Sequence, residues 1–273
     1  MESKKTFSDW LVVSDIDGTL NNKARKLPER NKKAIEKFIA RGGNFTLASG
    51  RNPKSMERHY MGLPISGTPA VVINGAGIYD FQKQEMIYFN SMNDEAMDIA
   101  IKAAKKFWTV DVVVVAKDII YITGLGAFGK WFVVVDKLKH KHIYDIAKVP
   151  RENWGKVIFS GLPSDIARVK KYFEKLNSSE LTLMSSSVAS FEILAKDTNK
   201  GTAVMKLAEM LGIEKSHTAA IGDYFNDYDM LKTVGVPACC GQAPKELKEI
   251  SEFVSCHCNN GAVADFLEYI ESK

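Results

Sequence analysis

The chain opens with a strand-and-helix alternation written in its apolar positions. Trp10-Leu11-Val12-Val13 is an uninterrupted apolar run that reads as a buried strand, and Gly18 then breaks it into a turn. A helical pattern follows over 28–41, with apolar residues at Ala34, Ile35, Phe38 and Ile39; Pro28 suits its first turn and Gly42-Gly43 ends it. Asn44-Phe45-Thr46-Leu47-Ala48 is the next strand, closing on Ser49-Gly50-Arg51. Ala70-Val71-Val72-Ile73 is a third, closing on Asn74-Gly75, for which a turn role suffices. Strands that alternate with helices imply a parallel, doubly wound α/β sheet.

The texture then changes. A helix over 93–107 precedes two aliphatic segments, 110–116 and 119–123, which Lys117-Asp118 joins as a hairpin. Strand signals recur at 156–160, 181–185 and 190–194, with a helix at 164–176. This is the signature of an α+β insert with an antiparallel sheet. Alternation resumes with a helix over 200–212, a strand at Thr218-Ala219-Ala220-Ile221 and a short helix at 226–234, and it runs on to a last helix at 262–271. The expected organisation is a discontinuous α/β core, 1–82 and 188–273, interrupted by an α+β domain at 83–187.

Composition constrains the setting. The 273 residues carry 45% hydrophobic and 26% charged side chains, ordinary for a globular protein with a sizeable core. A net charge of +4 is spread along the chain. The densest basic run, Lys137-Leu138-Lys139-His140-Lys141-His142, reads as a solvated face, and no basic and aromatic array suggests nucleic acid. The longest aliphatic runs, Val112 to Ala116 and Trp131 to Val135, are too short to span a bilayer. Only a short apolar run follows the first residues, too little for a secretory signal. A cytoplasmic protein with no membrane partner is expected. Cys239, Cys240, Cys256 and Cys258 are then reduced thiols, and their spacing around His257 matches no standard zinc pattern.

Four short segments concentrate the chemistry, each at the end of a strand or the start of a helix. They are Asp15-Ile16-Asp17-Gly18-Thr19-Leu20, Ser49-Gly50-Arg51, Asn199-Lys200-Gly201 and Gly222-Asp223-Tyr224-Phe225-Asn226-Asp227. Strand ends are where open α/β sheets bind ligands. Residues i and i+2 of a regular strand share a side, so Asp15 and Asp17 are expected to face one site. Two like charges there are costly without a metal, a proton or a substrate.

In order and type the four segments resemble the motifs of the haloacid dehalogenase superfamily of phosphohydrolases. An insert between the second and third resembles the Cof-like sugar phosphatases, whose cap is of the C2 type. The resemblance implies a Rossmann-like core and a Mg²⁺-dependent phosphatase acting on a small phosphorylated metabolite, plausibly a sugar phosphate, with the cap as a lid that carries specificity. It implies that Asp15 is the nucleophile that forms an aspartyl phosphate, and that Asp17 protonates the leaving alkoxide and then activates water. It places Ser49, Gly50 and Lys200 on the phosphoryl group, and Mg²⁺ on Asp15, the carbonyl of Asp17, and Asp223, with Asn226 and Asp227 ligating through water or orienting the first shell, although both residue types also cap helices. Arg51 could reach phosphate, and an exposed ion pair suits it equally. Trp131 and Phe132 could line the cap surface, although core packing suits them as well.

Two departures stand out. Asn199 occupies a position where the family often has Ser, and Cys239-Cys240-Gly241-Gln242 replaces a small residue, Met and an Asn-Ala pair. Neither removes a group that the chemistry needs. A sugar phosphomutase is the nearest enzymatic rival on this fold. A non-catalytic phosphate-ligand sensor is a rival from another class.

Overall fold

The computed structural model describes residues 6–65, 67–123 and 139–273; Trp131 and Phe132 lie outside them. In chain order the elements are β1 (Leu11–Ser14), α1 (Glu29–Ala40), β2 (Asn44–Leu47), α2 (Pro53–Met61), β3 (Ala70–Val72), β4 (Gly77–Asp80) and β5 (Glu85–Phe89). Then come α3 (Asp94–Lys106), β6 (Asp111–Ala116), β7 (Ile120–Thr123), β8 (His140–His142), β9 (Trp154–Ser160), α4 (Pro163–Leu176), β10 (Leu181–Ser187) and β11 (Ser190–Ala195). The chain ends with α5 (Lys200–Leu211), β12 (Thr218–Gly222), α6 (Tyr228–Thr233), β13 (Val236–Cys239), α7 (Lys245–Ile250), β14 (Phe253–Val254) and α8 (Ala262–Ser272).

Two compact units emerge. One joins the chain up to Glu85 with everything from Asn199 onward, and the other spans Met86–Thr198. The sequence reading returned the chain to the core at 188. The structure moves that return to Asn199, because β11 pairs antiparallel with both β9 and β10 and so belongs to the insert's sheet.

The first unit is built on an all-parallel sheet ordered β14-β13-β12-β1-β2. Every residue of β1 is buried, as expected of a central parallel strand covered on both faces. From β1 the chain steps outward to β2 on one side, and on its return it builds β12, β13 and β14 on the other. The reversal leaves a crevice at the carboxyl ends of β1 and β12, where such sheets take ligands. In α1, Ile35 and Phe38 are buried and Ala34 and Ile39 half-buried, and this helix packs against α8 while α5 packs against α6.

The segment 70–73 does not extend the parallel sheet as expected. β3 touches β2 through a single parallel bridge, Ala48 to Val71, and pairs instead with β4 in an antiparallel ladder. The chain turns between them through a left-handed backbone at Ile73, Asn74 and Gly75, which reverses it too sharply for a crossover helix.

The insert holds a six-stranded sheet ordered β10-β11-β9-β6-β7-β8, antiparallel except between β7 and β8. One face, with Val112, Val114, Trp154, Phe159, Phe191 and Ile193, packs under α3 and α4 into its own core. The described part of the basic run, His140–His142, is an exposed edge strand, in keeping with a solvated face. Among the described residues no helix is long and apolar enough to cross a membrane.

The turn after β3 is fastened to the start of α5. Asn199 caps that helix, accepting from the Thr202 N–H at 2.9 Å while its own N–H donates to Thr202 Oγ1 at 3.2 Å. Gly75, at φ 96°, lies so close that a Cβ would stand 2.0 Å from the Asn199 carbonyl oxygen. Gly75→Ala is therefore expected to cost about 3 kcal/mol or more, combining left-handed strain with a backbone clash. Gly212→Ala, also left-handed but with nothing within 4 Å, should cost only about 1 kcal/mol. Denaturant midpoints of the two variants would check the difference, and equal losses would show that the turn can yield.

Candidate active site

The strand register explains how distant residues meet. β1 ends at Ser14, paired with Ile221 of β12 and Leu47 of β2. Asp15 is the next residue, its N–H donating to the Ile221 carbonyl at 3.0 Å, and Asp223 leaves the end of β12 beside it. Ala48 donates to the Ser14 carbonyl at 2.9 Å, which sets Ser49 just past the neighbouring strand end. Lys200, the first residue of α5, arrives through the cap and turn described above.

Lys200 is the centre of the cluster. Its side chain has no solvent exposure, and its Nζ donates to Asp15 Oδ1 and to Asp227 Oδ1, each at 2.6 Å. Asp227 is equally buried. Its other oxygen accepts from the backbone N–H groups of Asp223 at 3.0 Å and Tyr224 at 3.4 Å. Both oxygens of Asp227 are thus engaged, while its carboxylate makes no capping bond to α6. Asn226 sits half-buried in the same 3₁₀ turn, Phe225–Asp227.

Asp15, Asp223 and Asp227 each bring a carboxylate oxygen within 4.8 Å of the others, the one such convergence of metal-ligating side chains among the described residues. Burial pushes the Asp15 carboxyl up to about 8; Lys200 opposes this, and Asp227 and Asp223 add to it. Burial, and then Asp227, push Asp223 up to about 6. Burial alone would lower Lys200, but Asp15 and Asp227 outweigh it and hold the ammonium above the ordinary lysine value. Three carboxylates about one ammonium leave a deficit of positive charge. The donors are all hard oxygens, a set that suits Mg²⁺ rather than a soft metal. Asp227 is engaged at both oxygens by Lys200 and two backbone amides, so Asp15 and Asp223 are the better placed carboxylates to take such an ion.

Asp17 does not share this cluster. The strand has ended by Ser14, so the two-residue alternation no longer applies, and the left-handed Gly18 turns the chain. The Asp17 side chain is 48% exposed, and its Oδ2 accepts from Arg51 Nε at 3.0 Å and Nη2 at 2.8 Å. Arg51 Nη1 donates onward to Ser55 Oγ at 3.0 Å. The expectation that both aspartates face one shared charge problem is corrected, for each meets its own cation.

Ser49 is buried, and its Oγ accepts from the Arg51 N–H at 3.4 Å. A Cβ on Gly50 would stand 2.7 Å from Asn74 Oδ1, so the turn at Asn74 backs the Ser49-Gly50 segment. The four thiols are free, and burial raises Cys239, Cys240, Cys256 and Cys258 alike. Sequence reasoning passed over three side chains that assemble the loop after β1. Thr19 Oγ1 donates to Asp223 Oδ1 at 3.2 Å, and Asn31 bridges the Leu20 carbonyl and the Ala264 N–H at 2.8 and 2.9 Å. Gln242 Nε2 donates to the Gly18 carbonyl at 2.6 Å. Only Asn31 left a trace in the sequence, as a polar residue on the apolar face of a helix.

Comparison with known proteins identifies the family. The family model described as haloacid dehalogenase-like hydrolase matches residues 12–267. The chain is 26% identical over 270 residues to the HMP-PP phosphatase of Enterobacter sp. (strain 638), covering 95% of this chain and 94% of the relative. It is 27% identical over 262 residues to the HMP-PP phosphatase of Citrobacter koseri, with the same coverage of 95% and 94%. Among solved structures, a haloacid dehalogenase-like hydrolase from Bacteroides thetaiotaomicron superposes with a TM-score of 0.83 at 21% identity, over 97% of this chain and 100% of that one. A sugar phosphatase of HAD subclass IIB superposes at 0.80 and 18% identity, over 96% and 98%. The sensor reading is set aside: the chain belongs to the haloacid dehalogenase-like hydrolases and is a phosphatase of that family.

Proposed function

We propose that this phosphatase is a cytoplasmic, Mg²⁺-dependent enzyme that hydrolyses a small phosphorylated metabolite, a sugar phosphate, through an aspartyl phosphate on Asp15. The observation that carries the reading is the unlike setting of the two aspartates: Asp15 is buried on Lys200, and Asp17 is half-exposed on Arg51. A nucleophile and an acid–base catalyst on one turn need unlike environments, and in this reading positive charge in the occupied site brings Asp15 to its ionised form.

In this reading an Asp15 carboxylate oxygen attacks phosphorus as the ester bond breaks, and the leaving alkoxide takes a proton from Asp17. Asp17 then removes a proton from water, which attacks the aspartyl phosphate and releases phosphate. Lys200, Ser49 Oγ and the Gly50 N–H offset charge on the transferring group. Asp15, the Asp17 carbonyl and Asp223 would hold Mg²⁺, which when bound neutralises negative charge at the phosphoryl group. Asp227 orients Lys200 and the Asp223 segment through its filled hydrogen bonds, and Asn226 stands beside it as an outer group. Arg51 holds Asp17 in place, and a contact with phosphate would require it to release that carboxylate. The proposed residues address phosphate alone, so the leaving group is recognised by other parts of the chain, for which the inserted unit is the proposed cap. The sugar-phosphate assignment draws on the subclass IIB neighbour, and HMP-PP on the curated relatives.

Asp15→Asn is expected to reduce turnover of a generic phosphomonoester on the order of 10³-fold or more with the fold intact. Phosphate release, with circular dichroism as the fold control, measures this, and full activity would remove the nucleophile assignment. A metabolite panel with Mg²⁺ that includes sugar phosphates and HMP-PP should show phosphate release from a sugar phosphate. Transfer to a sugar in the presence of a bisphosphorylated sugar would instead favour the mutase.

The carboxyl shifts give a signed pH dependence. Without a divalent cation the folded protein holds protons on Asp15 up to about 8 and on Asp223 up to about 6, whereas the unfolded chain releases them near the ordinary aspartate value. The unfolded state therefore binds fewer protons in this window, and these two groups make stability fall as pH rises from about 4 to about 8. A bound cation favours the ionised carboxylates and reverses that loss. Mg²⁺ should raise the melting temperature more at pH 8 than at pH 5, and equal shifts at both would argue against these two ligands.

A further inference from the structure

Gln242 lies in the loop after β13, a segment to which the sequence assigned no chemistry. Its Nε2 donates to the Gly18 carbonyl at 2.6 Å, and its Oε1 accepts from the Cys258 N–H at 3.1 Å. The same amide also favours the ionised Asp223 carboxylate, opposing the upward push of burial. One side chain in the loop after β13 thus joins the loop after β1, with its two aspartates, to the 3₁₀ turn that precedes α8.

The Gly18 peptide is closely confined on the other side as well. At φ 89°, a Cβ on Gly18 would stand 2.4 Å from Asp223 Oδ2, and Thr19 already donates to Asp223 Oδ1. Asp223 and the peptide after Asp17 are therefore one packed unit, and Gln242 ties that unit to the 3₁₀ turn at Cys258. The resemblance suggests Asn at this position, and Gln adds one methylene, which lengthens its reach between the Gly18 carbonyl and the Cys258 amide. Outer groups that hold ligands in place commonly change metal affinity by about 10–100-fold when removed.

We propose that Gln242 is a positioning residue that fixes Asp223 and the Gly18 peptide relative to Asp15, and so sets how tightly the site holds its divalent cation. The proposal rests on the reading of Asp15 and Asp223 as the carboxylates that take Mg²⁺. Calorimetric titration of Mg²⁺ into the full-length wild type, Gln242→Met and Gln242→Asn tests it without recourse to turnover. Met keeps the length and removes both hydrogen bonds; Asn keeps the amide and shortens it. Both variants are expected to raise the Kd for Mg²⁺, Met by about tenfold or more, with the stoichiometry unchanged. A strut of purely structural role would lower the melting temperature and the fraction that binds while leaving the Kd of the folded protein as it was, and that result overturns the proposal. Should Gln242→Met not fold, Gln242→Asn decides alone, with a wild-type Kd overturning it. A wild type that binds no Mg²⁺ would instead remove the metal reading, which keeps the two failures apart.

Discussion

The rest of the site depends on one fully buried ammonium group. Lys200 has no water to turn to, and an ammonium in that position is tolerated only with close hydrogen-bonding partners. The carboxyl groups of Asp15 and Asp227 supply them, each at 2.6 Å, from segments that follow different strands. Satisfying one lysine therefore requires β1, β12 and α5 to be in register with one another. The geometry of the reaction centre and the closure of the core are the same constraint.

That constraint spreads outward through hydrogen bonds. The second oxygen of Asp227 holds the amides of Asp223 and Tyr224, so the loop after β12 is shaped by the same carboxylate that grips Lys200. Asp223 in turn meets Thr19 and the back of Gly18. Lys200 is delivered by α5, whose cap at Asn199 rests on the turn at Gly75. Each contact is local, yet together they leave few ways to place the three carboxylates other than around the lysine.

The sequence made much of this legible, and the physical reason lies in what kind of information each feature uses. The apolar run before Asp15 identifies a buried central strand, and the order of Asp15, Ser49, Lys200 and Asp223 names a constellation, because residue type and strand position are both written locally. The division between Asp15 and Asp17 was not legible. The alternation rule assumes that the strand continues, and it stops one residue before Asp15. The return to the core was placed too early because β11 looks like any short apolar strand, and its membership in the insert is decided by partners on β9 and β10. Gln242 stood out only as a departure from the family pattern, and its contacts were not legible for a similar reason. Its meaning lies in two backbone groups, on Gly18 and Cys258, that no side-chain pattern records.

The two aspartates also show how one turn can give two carboxylates unlike surroundings. Asp15 is buried, where desolvation and its carboxylate neighbours favour the protonated form and only positive charge restores the ion. Asp17 remains half-exposed and is held by two hydrogen bonds from the Arg51 guanidinium. The first group therefore responds to what occupies the site, while the second is fixed by a partner outside the cluster. Positive charge entering the site would favour the ionised form of Asp15 without touching the grip on Asp17.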